Sequence, residues 1–184
     1  MTGIGVKAGW GLALALALGL GGAARVEAAP SVTEVKAYAE YSPDGTYGVG
    51  DEIYLMVGFN QDITYYEKNP TGDTNPKPAQ LRLQTYNGER YADCEGIGLD
   101  GNIPVLVFKY VVKPGDFTGD LDCFGFNALQ RNGDHIEGLA DGVFTSSAFA
   151  VPRGAALTSL RSLSDLAIRT FTFEVPPETS VAEG

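Results

Sequence analysis

The stretch Glu52-Ile53-Tyr54-Leu55-Met56-Val57-Gly58-Phe59-Asn60 decides the fold class. Ile53, Leu55, Val57 and Phe59 recur every second residue, while Tyr54, Met56 and Gly58 fall between them. A period of two places the first set on one side of an extended strand, because successive Cβ atoms point to opposite faces. The same rhythm runs through Ala79 to Tyr86, with Leu81 and Leu83, and through Val105 to Lys113, with Leu106, Phe108, Tyr110 and Val112. β-Branched and aromatic residues at this density crowd a helix and suit a pleated surface.

Outward from these three segments, further strands are expected at Val32 to Glu40, Arg90 to Glu95, Leu121 to Phe126, Phe144 to Val151 and Leu166 to Val175. Leu166 and Ile168 share one face and Phe171, Phe173 and Val175 the other, which predicts a bulge or a change of partner. Turn signals separate the strands: Ser42-Pro43-Asp44-Gly45, Asn87-Gly88, Asp100-Gly101-Asn102, Pro114-Gly115-Asp116 and Asn132-Gly133-Asp134. Asn87-Gly88 is the sharpest hairpin signal. Tyr65 to Lys77 reads as a loop, and Leu157, Leu160 and Leu163 permit one short helical turn. Each half-apolar sheet must bury its greasy face against another, so about seven to nine strands predict an all-β antiparallel sandwich of residues 29–175. A closed barrel would produce the same rhythm. The core expected is Ile53, Leu55, Val57, Phe59, Leu81, Leu83, Leu106, Phe108, Tyr110, Val112 and Leu121.

Composition sets compartment and partners. The chain has 184 residues, 44% of them hydrophobic, with 24 glycines, so one folded domain is expected. Its 23 acidic against 13 basic residues give a net charge of -10, which repels nucleic acid. Residues 1–28 read as a signal peptide: Lys7, then an uncharged Leu/Ala/Gly run, then the small residues Val26 and Ala28 before a cut. That run is short and glycine-rich for a membrane span, so no membrane insertion is expected after cleavage. The mature chain is placed outside the cytoplasm, as a secreted, periplasmic or cell-surface protein, with residues 176–184 as a tail or linker. Its two cysteines, Cys94 and Cys123, would meet an oxidising compartment, where an even count predicts a disulfide. A loop of that length would contribute roughly 3 to 4 kcal/mol.

Asp44-Gly45-Thr46-Tyr47-Gly48-Val49-Gly50-Asp51-Glu52-Ile53 resembles the opening of a family of bacterial Ig-like repeats of secreted and cell-surface proteins. The resemblance continues through Leu106 to Asp116, Asp120-Leu121-Asp122, Asn127-Ala128-Leu129 and Asn132-Gly133 with Ile136, and covers most of residues 31–171. It implies an immunoglobulin-like sandwich used as a stalk, spacer or adhesion module. The chain departs from such repeats in having one copy, a longer insertion at Tyr65 to Lys77, and cysteines where the repeats tend to carry tyrosine. The last departure also favours a Cys94–Cys123 bridge.

Catalytic signatures are sparse. There is no G-x-S-x-G elbow, HExxH, phosphate-binding glycine loop or C-x-x-C, and the one histidine, His135, sits in a turn near Ser146 and Ser147. The chain is therefore read as noncatalytic: a spacer or adhesion module with a protein or glycan partner, a secreted hydrolase accessory domain being the lesser reading. Two ligand chemistries compete with a bland surface. Asp116, Asp120 and Asp122 beside Gly115 and Gly119 could hold calcium through carboxylate oxygens. Tyr65, Tyr66, Tyr86 and Tyr91 could stack on sugar rings, as in a carbohydrate-binding module.

Overall fold

The computed structural model describes residues 30–66, 77–138, 142–143 and 148–170. Among them the strands are β1 (Val32–Ala37), β2 (Gly45–Tyr47), β3 (Glu52–Phe59), β4 (Ile63–Tyr66), β5 (Gln80–Thr85), β6 (Gly88–Asp100) and β7 (Ile103–Val111). They continue as β8 (Phe117–Thr118), β9 (Asp122–Cys123), β10 (Leu129–Gln130), β11 (His135–Gly138), β12 (Gly142–Val143), β13 (Ala148–Phe149) and β14 (Leu166–Arg169). The single helical turn α1 (Leu160–Leu163) precedes β14. The all-β class follows as expected, with nine strands of three or more residues and five two-residue pieces among the described residues. The signal segment, the bulk of the Tyr65 to Lys77 insertion and the tail lie outside them, as do Ser146, Ser147 and Phe171 to Val175.

The main sheet runs β1-β3-β7-β6-β5-β10-β13, with β9 also pairing β5. Two smaller sheets, β12-β11-β4 and β2-β14-β8, complete the layers. Ile63 and Ile136 from the first and Leu166 and Ile168 from the second join the main sheet's inward residues in one core. All eleven expected core residues belong to it. Fully burying each such aliphatic side chain contributes roughly 1.5 to 3 kcal/mol. The opposite face of β3 and β7 is also partly covered: Met56, Val105 and Val107 form a second cluster beneath Tyr38 and Tyr54.

Turns appear where glycine signals stood, with one displacement. The β5–β6 hairpin turns on Tyr86-Asn87, so Thr85 faces Gly88, and Gly88 takes φ 106° one step past the turn. At the β6–β7 hairpin Gly101 takes φ 63°, and Asp100 faces Ile103. Three expectations need correction. β6 runs to Asp100 rather than Glu95, past an irregularity between Cys94 and Gly96. The segment Leu121 to Phe126 keeps only two strand residues, since it follows the edge of β5 and then turns away at Gly125, φ 80°.

The third correction concerns the cysteines. Both cysteines are buried, and neither is in a disulfide. The Cys94 N–H donates to the Ala79 carbonyl on one side of the β5 segment, while Cys123 faces Leu83 on its other side. Four residues along a strand and two strand spacings across separate their backbones by about 16 Å, and a bridge needs Cα atoms within about 7 Å. The expectation of a disulfide rested on an even count in an oxidising compartment; the register puts the two cysteines on opposite flanks of one strand.

Candidate functional site

The segment from Lys113 to Asp122 leaves the end of β7, crosses below the β5–β6 turn and carries three of the residues singled out in sequence. It begins with a tight turn in which Pro114 and Gly115 are central, Gly115 takes φ 86°, and the Asp116 N–H closes on the Lys113 carbonyl at 3.1 Å. Asp116 is fully buried, with 0% exposure. Its carboxylate accepts the Arg90 Nε–H at 2.6 Å, the Lys113 N–H at 2.8 Å and the Tyr110 hydroxyl. Its carbonyl accepts the Thr170 hydroxyl at 2.7 Å. The Asp116 carboxylate raises the Arg90 pKa, and burial followed by the bond to Asp116 pushes the Tyr110 phenol up.

Beyond this anchor, Phe117 and Thr118 pair with Arg169 and Ile168 of β14, and the Phe117 carbonyl accepts the Tyr86 N–H at 2.7 Å. The Thr118 hydroxyl donates to the Asp120 carbonyl at 2.9 Å and accepts the Asp120 N–H at 3.2 Å, which folds the chain sharply at Gly119. Leu121 then plugs into the core, its N–H bonded to the Leu166 carbonyl. Between this segment and the stretch before α1 opens a cleft of about 340 Å³, lined in part by Tyr86, Phe117, Asp120, Asp122, Arg153 and Arg161.

The cleft's chemistry is mixed. Tyr86 is 85% exposed and meets Phe117 edge-on at 6.4 Å, leaving a phenol face open to solvent. Asp120 Oδ2 accepts the Arg161 Nε–H at 2.8 Å, whereas Asp120 Oδ1 is buried without a hydrogen-bond partner. Burial chiefly raises the Asp120 pKa; the Arg161 charge opposes the shift, and the Asp165 and Asp122 charges add to it. Asp122 is spent on structure: Oδ1 accepts the Cys123 N–H at 2.8 Å and Oδ2 the Gly154 N–H at 2.6 Å. The Arg153 guanidinium lies 5.6 Å from the ring centre of Phe126, which is 70% exposed. No carboxylate among the described residues pairs with Arg153.

The expected calcium set therefore does not assemble. Asp116 points into the core toward donors, Asp122 is held by two backbone N–H groups and one oxygen of Asp120 by a guanidinium, so the three carboxylates do not turn toward a common centre. Among the described residues no group of three or more His, Cys, Asp or Glu is placed to hold a metal ion.

The four tyrosines also separate. Only Tyr86 lines the cleft. Tyr65 and Tyr66 lie on β4 opposite Ile136 and His135, and the Tyr65 hydroxyl donates to buried Asp134 at 2.5 Å. Tyr91 faces Arg82 across β6 and β5 and donates to Glu89 at 2.9 Å. A further trio, Tyr38, Tyr41 and Tyr54, was not anticipated; its rings pack on one another at 4.8 and 5.6 Å. Arg153, Arg161, Phe117 and Phe126 also escaped notice, because no local pattern distinguishes them before the chain brings the segment near residue 120 against the stretch before α1. No family model, curated protein or solved structure matches the chain.

Proposed function

We propose that this chain is a noncatalytic recognition module of immunoglobulin-like design, exported to the periplasm, cell surface or medium, and that it binds a glycan in the cleft beside Tyr86. The observation that carries this reading is the open aromatic face of Tyr86 in one concavity with the charged side chains Asp120, Asp122, Arg153 and Arg161. A pyranose offers an apolar face to stack on such a ring and hydroxyls to hydrogen-bond with polar groups around it.

Supporting the design, the order β1-β3-β7-β6 is similar to the A-B-E-D succession of immunoglobulin sheets with β4 at a C position in another sheet, whereas β5 extends the same sheet beyond β6. Supporting a binding role without hydrolysis, the second carboxylate in the cleft, Asp122, is held by two backbone donors, whereas glycoside hydrolysis uses two carboxyl groups free to act. His135 lies on β11 and is not among the residues lining the cleft. The test is a glycan array probed with the full chain and with Y86A. Binding by the parent and at least tenfold weaker binding by Y86A is the outcome expected. An array on which parent and Y86A give the same signals overturns the assignment of this cleft.

A further inference from the structure

We infer that the cleft prefers sugars carrying a carboxylate, with Arg153 as the group that receives it; this deepens, and rests on, the glycan reading above. Of the cleft's two carboxylates, Asp122 accepts two backbone N–H groups and Asp120 is paired through Oδ2 with Arg161. Of its two guanidinium groups, Arg161 is matched by that same pair, while Arg153 has no acidic partner among the described residues. Arg153 is thus the cleft guanidinium without a carboxylate hydrogen-bonded to it, and its planar fork fits a carboxylate with two parallel hydrogen bonds.

Arg153 is also set in place before any ligand arrives. Its guanidinium packs on the Phe126 ring at 5.6 Å, and the Val151 N–H bonded to the Phe126 carbonyl at 2.8 Å ties the two stretches together. Holding the fork on an aromatic face lowers the entropy lost on binding. The neighbouring backbone is fixed as well, since the Gly154 N–H is bonded to Asp122 and the Gly154 carbonyl accepts the Ser159 hydroxyl at 2.8 Å.

The same arrangement assigns the other contact. Tyr86, exposed at the cleft, offers a face to the ring's C–H surface. A volume of about 340 Å³ sits at the lower end of small-molecule sites, which suits a short segment of a saccharide. The chain's net charge of -10 does not oppose this locally, because the four charged side chains of the cleft cancel before ligand enters and more distant charges are screened beyond about 8 Å at physiological salt.

The experiment compares trigalacturonate with its neutral trimethyl ester by isothermal titration, using the full chain, R153M, R153K and Y86A. The acid is expected to bind at least tenfold more tightly than the ester, R153M to bring the two ligands to equal affinity, and R153K to fall between parent and R153M because it keeps charge without the fork. Y86A should weaken both ligands together. Thermal melting of R153M and R153K alongside the parent verifies that each is folded. Equal affinity of the parent for acid and ester overturns the role of Arg153 while leaving glycan binding standing. Failure of the parent to bind either ligand overturns both.

Discussion

Replacing Asp116 with alanine removes one side chain and strands three donors. The Arg90 Nε–H at 2.6 Å, the Lys113 N–H at 2.8 Å and the Tyr110 hydroxyl all lose an acceptor that is itself fully buried. An unsatisfied buried donor costs about 1 to 3 kcal/mol, and breaking a buried ion pair by deleting one member costs about 3 to 5 kcal/mol. Arg90 is partly exposed and Lys113 exposed, so both recover hydration and the net loss falls below the plain sum of about 5 to 11 kcal/mol. A loss of about 4 kcal/mol is the expected value for D116A, a large share of the roughly 5 to 15 kcal/mol that a domain possesses. Urea denaturation followed by far-ultraviolet ellipticity measures it, and the thermal midpoint should fall by roughly 12 °C at about 3 °C per kcal/mol. The near-isosteric D116N should not rescue, since its NH2 turns one of two accepting positions into a donor facing a donor. A loss below about 1 kcal/mol for D116A would refute the view that this carboxylate ties the Lys113 to Asp122 segment to the sheet.

Two further outcomes concern buried protons and sulfurs. Intact-mass analysis after alkylation should show Cys94 and Cys123 unreactive in the folded protein and both modified once it is unfolded without reductant; burial pushes the Cys123 thiol up, away from the reactive thiolate. Mass consistent with an intact bridge under denaturing, non-reducing conditions would contradict the register of β5 with its two neighbours. The Tyr65 and Tyr110 phenols are held above the ordinary value of 10.0 by burial first and by hydrogen bonds to Asp134 and Asp116 second. Their folded pKa values are raised, so their contribution to stability is complete below about pH 10 and is lost as pH climbs through the higher folded values. Phenolate absorbance during alkaline titration should show at least two of the nine tyrosines ionising only as the fold is lost. Full ionisation of all nine with native ellipticity intact would exclude it.

The legible part of this molecule was the part governed by period two. β3, β5 and β7 carry strict alternation, and each of their inward residues anticipated from the sequence is buried in the common core. Turns with a glycine at positive φ were legible too, though Gly88 stands one position later than the Asn-Gly pattern implies, because a side chain from Thr85 closes the loop on the Gly88 carbonyl. What could not be read was pairing between distant segments. Nothing in the letters around Cys94 and Cys123 states that β5 runs between them, and counting cysteines favoured a bridge that the register forbids. The acidic triplet misled for a related reason: proximity in sequence was legible, but donors that occupy those oxygens include Arg90, Gly154 and Arg161, tens of residues away in either direction. Tyr86 was singled out with three other tyrosines, and only three-dimensional placement separates it from them. Arg153 carried no local signal, since its meaning depends on which carboxylates are already taken.

The placement of β14 between β2 and β8 has a kinetic consequence. Leu166 pairs in parallel with Gly45, and the Asp165 N–H donates to the Asp44 carboxylate across 121 residues of chain. Such a closure comes late, because loop entropy must be surmounted before contacts so remote in sequence can reward it. During synthesis β2 therefore waits with a vacant margin until the stretch near residue 169 emerges, and throughout that interval the slot destined for Leu166 and Ile168 stands open. The hazard of mispairing is concentrated there, and a helper that shelters a growing polypeptide would find its target at β2 rather than in the early-forming hairpins.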